Sequence, residues 1–155
     1  MHANQRAAAR GARRRFESSS YLLDPLGSLL PAGHPRHLQG AWAVSDLESI
    51  GATDRVLVLG APHLCVDAVL ALHAQGHRGT VRLVSPHGLL HAARDGVAPV
   101  VAERLGALRA AGRLEVCAGD VTDAAAYGDT FVVDILPRGR TLNVSERYDW
   151  IVSCT

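Results

Sequence analysis

The stretch that most constrains this chain is a strand, a glycine turn and a helix in immediate succession. Val56-Leu57-Val58-Leu59, led in by Arg55, is an unbroken apolar run with β-branched members, bounded by Asp54 and Gly60. A strand that does not alternate polar with apolar residues is buried on both faces, which is the condition of a parallel sheet. Residues 64–74 then place Leu64, Val66, Leu70 and Leu72 at helical spacing, and Gln75-Gly76 supplies the stop. Thr80-Val81-Arg82-Leu83-Val84 is a second strand. The segment reads as a β-α-β unit whose right-handed crossover makes its two strands parallel neighbours.

The pattern repeats downstream. Residues 97–111 form a second amphipathic stretch ended by Gly112, and Leu114-Glu115-Val116-Cys117-Ala118 is a third strand. The expected fold class is therefore α/β, a Rossmann-like parallel sheet (β-α-β-α-β) with a C-terminal β-hairpin and a final strand. The hairpin is read from residues 130–136 and 140–144, joined by Pro137-Arg138-Gly139. Trp150-Ile151-Val152-Ser153-Cys154 is the final strand; it runs to the end of the sequence, so the domain is expected to be truncated there. Upstream, Ser45-Asp46-Leu47-Glu48 offers a helical turn with Ser45 as N-cap and Glu48 at the capping-box position.

Two units are expected: a basic N-terminal segment, residues 1–33, disordered or irregular, and a Rossmann-like NAD(P)-binding-type domain, residues 34–155. Five arginines, Arg6, Arg10, Arg13, Arg14 and Arg15, precede the first acid, Glu17. Arg13-Arg14-Arg15-Phe16 fits a twin-arginine pattern, and an Arg-rich, acid-poor start resembles a transit peptide. Asp24 and Pro25 break the apolar stretch an export signal needs, and a disordered basic tail is the preferred reading.

Composition removes several chemistries. The sequence has no lysine, which excludes a Walker-type phosphate loop, a Schiff-base enzyme and a dehydrogenase built on a Tyr/Lys pair. A formal net charge of +1 gives no global field toward nucleic acid or a membrane surface, and neither is expected as a partner. No apolar run is long enough to span a bilayer. Cys65, Cys117 and Cys154 are widely separated, and neither they nor the histidines show ligand spacing, so no metal is expected. Unpaired thiols suit a reducing cytoplasm, the expected location.

In a strand-turn-helix of this kind the ligand lies outside the carboxyl ends of the strands, where the helix N-terminus presents N–H groups to a pyrophosphate. The turn here is Gly60-Ala61-Pro62-His63-Leu64-Cys65. Of the three fingerprint glycines only Gly60 is present; Pro62 removes a donor, and Cys65 carries a side chain where close packing prefers none. The second strand leads into Ser85-Pro86-His87, where an NAD site has an acid. The candidate cofactor-binding residues are Gly60, Ala61, Pro62, His63, Leu64, Asp67, Ser85 and His87, with Arg94 a further possible phosphate clamp. Asp67 reads equally as a structural acid near the helix N-terminus, and His63 and His87 as solvated side chains. No nucleophile-base-acid constellation assembles, so no catalytic residue is assigned.

Several segments together resemble bacterial FAD/NAD(P)-binding proteins related to flavin-dependent monooxygenases such as ornithine N-hydroxylases. His34-Pro35-Arg36-His37 and Ala41-Trp42 are similar to that family's His-Pro-Arg-Tyr and Pro-Trp. Gly60, Leu64 and Asp67 coincide with its G-T-G-L-T-M-x-D, and Gly76-His77-Arg78-Gly79 matches G-H-x-G. Ser85, Gly88, Leu89 and Leu90 follow S-R-x-G-L-L with the arginine replaced by Pro86, and residues 149–155 resemble D-x-V-x-N-C-T-G. The resemblance implies a flavoprotein with two nucleotides, this chain matching the inserted NAD(P)-binding-like region. FAD is implied for the family, but its binding unit is absent from this sequence: residues 1–33 hold no G-x-G-x-x-G.

The leading expectation is a partial FAD/NAD(P)-binding oxidoreductase whose degenerate dinucleotide site is weak or lost and which has no independent catalysis. Its partners would be a dinucleotide and a separate FAD-binding unit or another protein. An epimerase-like NAD(P)-dependent reductase is the alternative, because Gly119-Asp120-Val121-Thr122-Asp123 resembles an adenine-pocket segment. A non-catalytic interaction module is the third reading.

Overall fold

The computed structural model describes residues 26, 29–31, 33–39, 42–86 and 98–154. Its elements are β1 (His37–Leu38), a 3-10 helix (Val44–Ser49), β2 (Val56–Gly60), α1 (Pro62–Ala74), β3 (Val81–Ser85), α2 (Pro99–Ala110), β4 (Leu114–Tyr127), β5 (Thr130–Pro137), β6 (Val144–Tyr148) and β7 (Trp150–Cys154). The strands form one sheet in the order β1-β7-β2-β3-β4-β5-β6. Neighbours from β1 to β4 pair in parallel, and β4, β5 and β6 pair antiparallel. The expected α/β class holds: a Rossmann-type parallel sheet with antiparallel strands and a final strand appended.

The continuous apolar run of β2 has the burial its sequence demands. Val56 and Val58 face a core shared with Val66, Val69 and Leu72 of α1 and Leu105 and Leu108 of α2. Leu57 and Leu59 face the other way, into a core with Phe131, Val133, Ile135, Tyr148 and Ile151. Among the described residues, the second face of the parallel sheet is thus covered by the β4-β5-β6 meander. Leu26 and Leu30, from the stretch read as irregular, are buried in this second core.

One long strand serves both layers. β4 pairs with β3 over Leu114 to Ala118, then with β5 from Gly119 onward. A Cβ on Gly119 would stand 2.5 Å from the Leu136 carbonyl oxygen, so only glycine lets β5 close against the crossover point. A bulge between Val121 and Asp123 adds to the bend.

Several sequence boundaries need correction. α1 opens at Pro62, two residues before the expected start, because proline's fixed φ and missing N–H suit the first helical position. The 3-10 helix is preceded by Ala43, whose N–H donates to Asp46 Oδ2 at 2.6 Å, so neither Ser45 nor Glu48 makes the expected cap. The second hairpin strand is Val144–Tyr148, further along than 140–144, and a longer turn follows Pro137. Asp120, Val121, Thr122 and Asp123, part of the segment that resembles an adenine-pocket segment, lie within β4 and its pairing with β5.

Candidate functional site

From β2 the chain proceeds to β3 and β4 on one side, while β7 pairs with β2 on the other. β2 therefore stands at the point where strand order reverses, and the crevice for a ligand lies outside the carboxyl ends of its neighbours. Gly60, Ala61, Pro62, His63 and Leu64 occupy that point as one turn. Ser85 ends the adjacent strand, in register one pair beyond Leu59 and Val84. The structure brings these six candidates together. Asp67 lies one turn into α1 and is exposed, away from them. His87 and Arg94 lie outside the described residues.

The geometry gives Gly60 a role distinct from phosphate contact. Its φ is +121°, and a Cβ there would fall 2.0 Å from the Cys154 carbonyl oxygen. That same carbonyl accepts the Ala61 N–H at 2.8 Å. The close approach of β7 to the end of β2 thus requires glycine and occupies the first donor of the turn. Pro62 has no donor. The N–H groups of His63 and Leu64 remain without an intrahelical acceptor, as helix geometry dictates for the first turn. Two N–H groups at the positive end of α1, beside an exposed imidazole, fit a phosphate oxygen but fall short of a full pyrophosphate cradle.

Beneath the turn, Cys65 and Cys154 are both buried in the helix-side core. A side-chain hydrogen bond with Cys154, then burial, pushes the Cys65 thiol above its ordinary range, so it stays protonated. Cys65 fills the third fingerprint position with a packing side chain. Ser85 is buried at the end of β3.

The final strand is anchored from the N-terminal side. His37 Nε2 is 2.9 Å from Ser153 Oγ, Trp42 Nε1 donates to the Ser153 carbonyl at 3.0 Å, and the Arg36 guanidinium lies 5.6 Å from the Trp150 ring centroid. His34 Nε2 is 2.9 Å from the Gly128 carbonyl oxygen at the β4-β5 turn. The His34-Pro35-Arg36-His37 segment therefore ties β7 to the meander. Sequence reasoning missed the Cys154 carbonyl as the partner of the turn; it comes from main-chain register, which leaves no side-chain signature. Among the described residues no three His, Cys, Asp or Glu side chains converge as a metal site, and no helix is long and apolar enough to cross a membrane.

These features define an α/β fold of the Rossmann type with a meander on its second face. Solved structures share it. The lysine monooxygenase NbtG from Nocardia farcinica, described for its NADPH domain conformation, is similar with a TM-score of 0.57 at 20% identity, over 80% of this chain and 37% of its own. The ornithine N-hydroxylase KtzI of Kutzneria sp. 744, solved with reduced FAD, NADP+ and L-ornithine, is similar with a TM-score of 0.63 at 16% identity, over 83% of this chain and 42% of its own. The chain spans about two fifths of the length of these two enzymes. No family model and no curated protein matches its sequence.

Proposed function

We propose that this chain is the NAD(P)-binding-type domain, residues 34–155, of a flavin-dependent oxidoreductase, with a dinucleotide crevice at the carboxyl ends of β2, β3 and β7. The observation that supports it is the β2-turn-α1 junction at the sheet's reversal point, with the His63 and Leu64 N–H groups at the opening of the helix. Gly60, Ala61, Pro62, His63, Leu64 and Ser85 line the crevice in this reading; Asp67 supports the helix N-terminus, and His87 follows from the loop after β3. With the Ala61 donor engaged by Cys154 and none on Pro62, affinity is expected to be below that of an intact fingerprint. Redox chemistry would belong to a flavin-bearing unit, and this chain alone would bind without catalysing.

The test is a titration with NADPH and NADH followed by thermal unfolding. Ligand at about 100 times its dissociation constant adds about 2.7 kcal/mol of stability. Gly60 is a poor position for the negative control, because its substitution strains the fold. His63→Glu serves better: a carboxylate in the first helical turn suits the helix dipole yet repels a phosphate. The ligand-induced shift is expected to disappear in His63→Glu while unliganded stability is unchanged or slightly raised. No shift in the wild-type chain with either dinucleotide at millimolar concentration refutes the binding reading and leaves the interaction-module one.

A further inference from the structure

We propose that the cleft at the amino ends of β2 and β3, lined by Glu48, Ile50, Ala52, Gln75 and His77, binds a small organic ammonium ion. Its volume is about 310 Å³, at the small end of the range for sites that hold organic ligands. The five residues of β2, about 17 Å of strand, stand between it and the crevice at the carboxyl ends of the sheet. The site is therefore separate from the dinucleotide reading above.

Hydrogen bonds from several segments hold the walls in place. Gln75, which follows α1, donates from Nε2 to the Leu47 carbonyl of the 3-10 helix at 2.7 Å. The Arg78 and Gly79 N–H groups both donate to the Ala52 carbonyl, at 2.7 and 3.0 Å. His77 Nε2 lies 2.8 Å from the Asp54 carbonyl oxygen, and the Asp54 carboxylate accepts the Gly51 N–H and the Trp150 indole N–H. The Gly76-His77-Arg78-Gly79 segment thereby ties the end of α1 to the loop before β2. A lining that is already ordered costs little to organise around a ligand.

What the cleft can bind follows from the atoms those bonds leave over. A carbonyl oxygen only accepts, so His77 Nε2 carries the proton, and in the neutral ring Nδ1 is an acceptor. His77 is 5% exposed, and Nδ1 is the polar atom this enclosed ring keeps for a ligand. Gln75 keeps Oε1 as an acceptor and one N–H as a donor. Glu48 brings the single formal charge of the five lining residues; it is exposed and has no ion pair among the described residues. Ile50 and Ala52 supply an apolar wall. One anion, two neutral acceptors and a hydrocarbon surface fit a ligand with charged N–H donors at one end and an apolar body at the other. With one carboxylate and one imidazole, the cleft falls short of a metal centre.

Calorimetry on the 155-residue chain with benzylamine, benzyl alcohol and phenylacetate tests the assignment, since the three share an aromatic body and differ in the charge of the head group. Saturable binding of benzylamine is expected, about fivefold tighter than benzyl alcohol, a modest factor because Glu48 is exposed, with phenylacetate weakest. Glu48→Gln keeps the side-chain shape and should bring benzylamine down to the affinity of the alcohol. Ala52→Leu fills the cleft without changing its charge and should weaken both. Unliganded thermal unfolding of each variant checks that the fold persists, and replacing an exposed side chain such as Glu48 leaves the core intact. Neither variant should alter the NADPH titration, so failure here and failure of the dinucleotide reading are distinguishable. No saturable binding at millimolar benzylamine, equal wild-type affinities for amine and alcohol, or amine binding unchanged in either variant overturns the assignment.

Discussion

Gly60→Ala isolates what one residue contributes to this fold. The new Cβ would meet the Cys154 carbonyl oxygen at 2.0 Å, in a backbone region with φ +121° that other residues enter only with strain. Strain and overpacking together are expected to cost about 3 kcal/mol, a large fraction of a small domain's total stability. Urea unfolding checks it; a loss below about 1 kcal/mol would mean that β7 does not approach the turn so closely. The residue also marks what the sequence discloses. Gly60 is legible as a turn glycine because it follows an apolar strand and precedes a helix. That Cys154 is its reason is not legible, because the contact joins two main chains almost a hundred residues apart. Cys65 is the reverse case: read as a defect in a phosphate fingerprint, it is a core side chain against Cys154.

At the scale of elements, the parallel strands β2, β3 and β7 and both helices were legible, since continuous apolar runs and glycine stops are local signals, whereas the two-residue β1, paired with β7, lies in a stretch read as irregular. β4 was legible only as far as Ala118. Beyond it Asp120, Thr122 and Asp123 give the strand a polar, loop-like texture, because this half is exposed on one side and draws its order from β5. The meander's attachment to the parallel sheet lies in a charged network. Glu146 receives Arg55 at 2.7 Å, Arg82 at 3.2 Å and the Tyr148 hydroxyl at 2.8 Å, and the Arg55 guanidinium lies 5.1 Å from the Tyr148 ring centroid. Burial first, and then the hydrogen bond to Glu146, hold the Tyr148 phenol above its ordinary range. The folded state therefore keeps a proton that the unfolded chain releases near pH 10. Tyr148's contribution is complete below that pH and is lost above it, at up to about 1.4 kcal/mol per pH unit. Cys65 and Cys117, also raised, start an earlier loss at about pH 8.5, the ordinary thiol range. In urea unfolding across pH 7 to 11, Tyr148→Phe is expected to flatten the fall above pH 10 and leave the thiol-linked fall unchanged. An unaltered slope above pH 10 would place the titration on other groups.

For the whole molecule the question is whether two cores make one cooperative unit. The helix-side core holds Trp150, with Trp42 packed against it, and the meander-side core holds Phe131 and Tyr148. Adjacent residues of β2 and β7 serve opposite cores: Val56 and Val58 against Leu57 and Leu59, Trp150 and Val152 against Ile151. β4 enters both layers as a single chain. Loss of either layer therefore strips apolar surface from strands that the other layer needs, so the two should unfold together. Phe131→Ala tests this from one side only. Phe131 is fully buried among meander and sheet residues, and its removal is expected to cost 3–5 kcal/mol, roughly, by lost transfer energy and cavity formation. Tryptophan fluorescence reports on the helix-side core, whereas far-ultraviolet circular dichroism reports on the whole sheet and both helices. Coincident urea midpoints for the two probes, both moved down by the substitution, are the expected result. A fluorescence midpoint that stays at its wild-type value while dichroism falls would make the meander a separately melting layer.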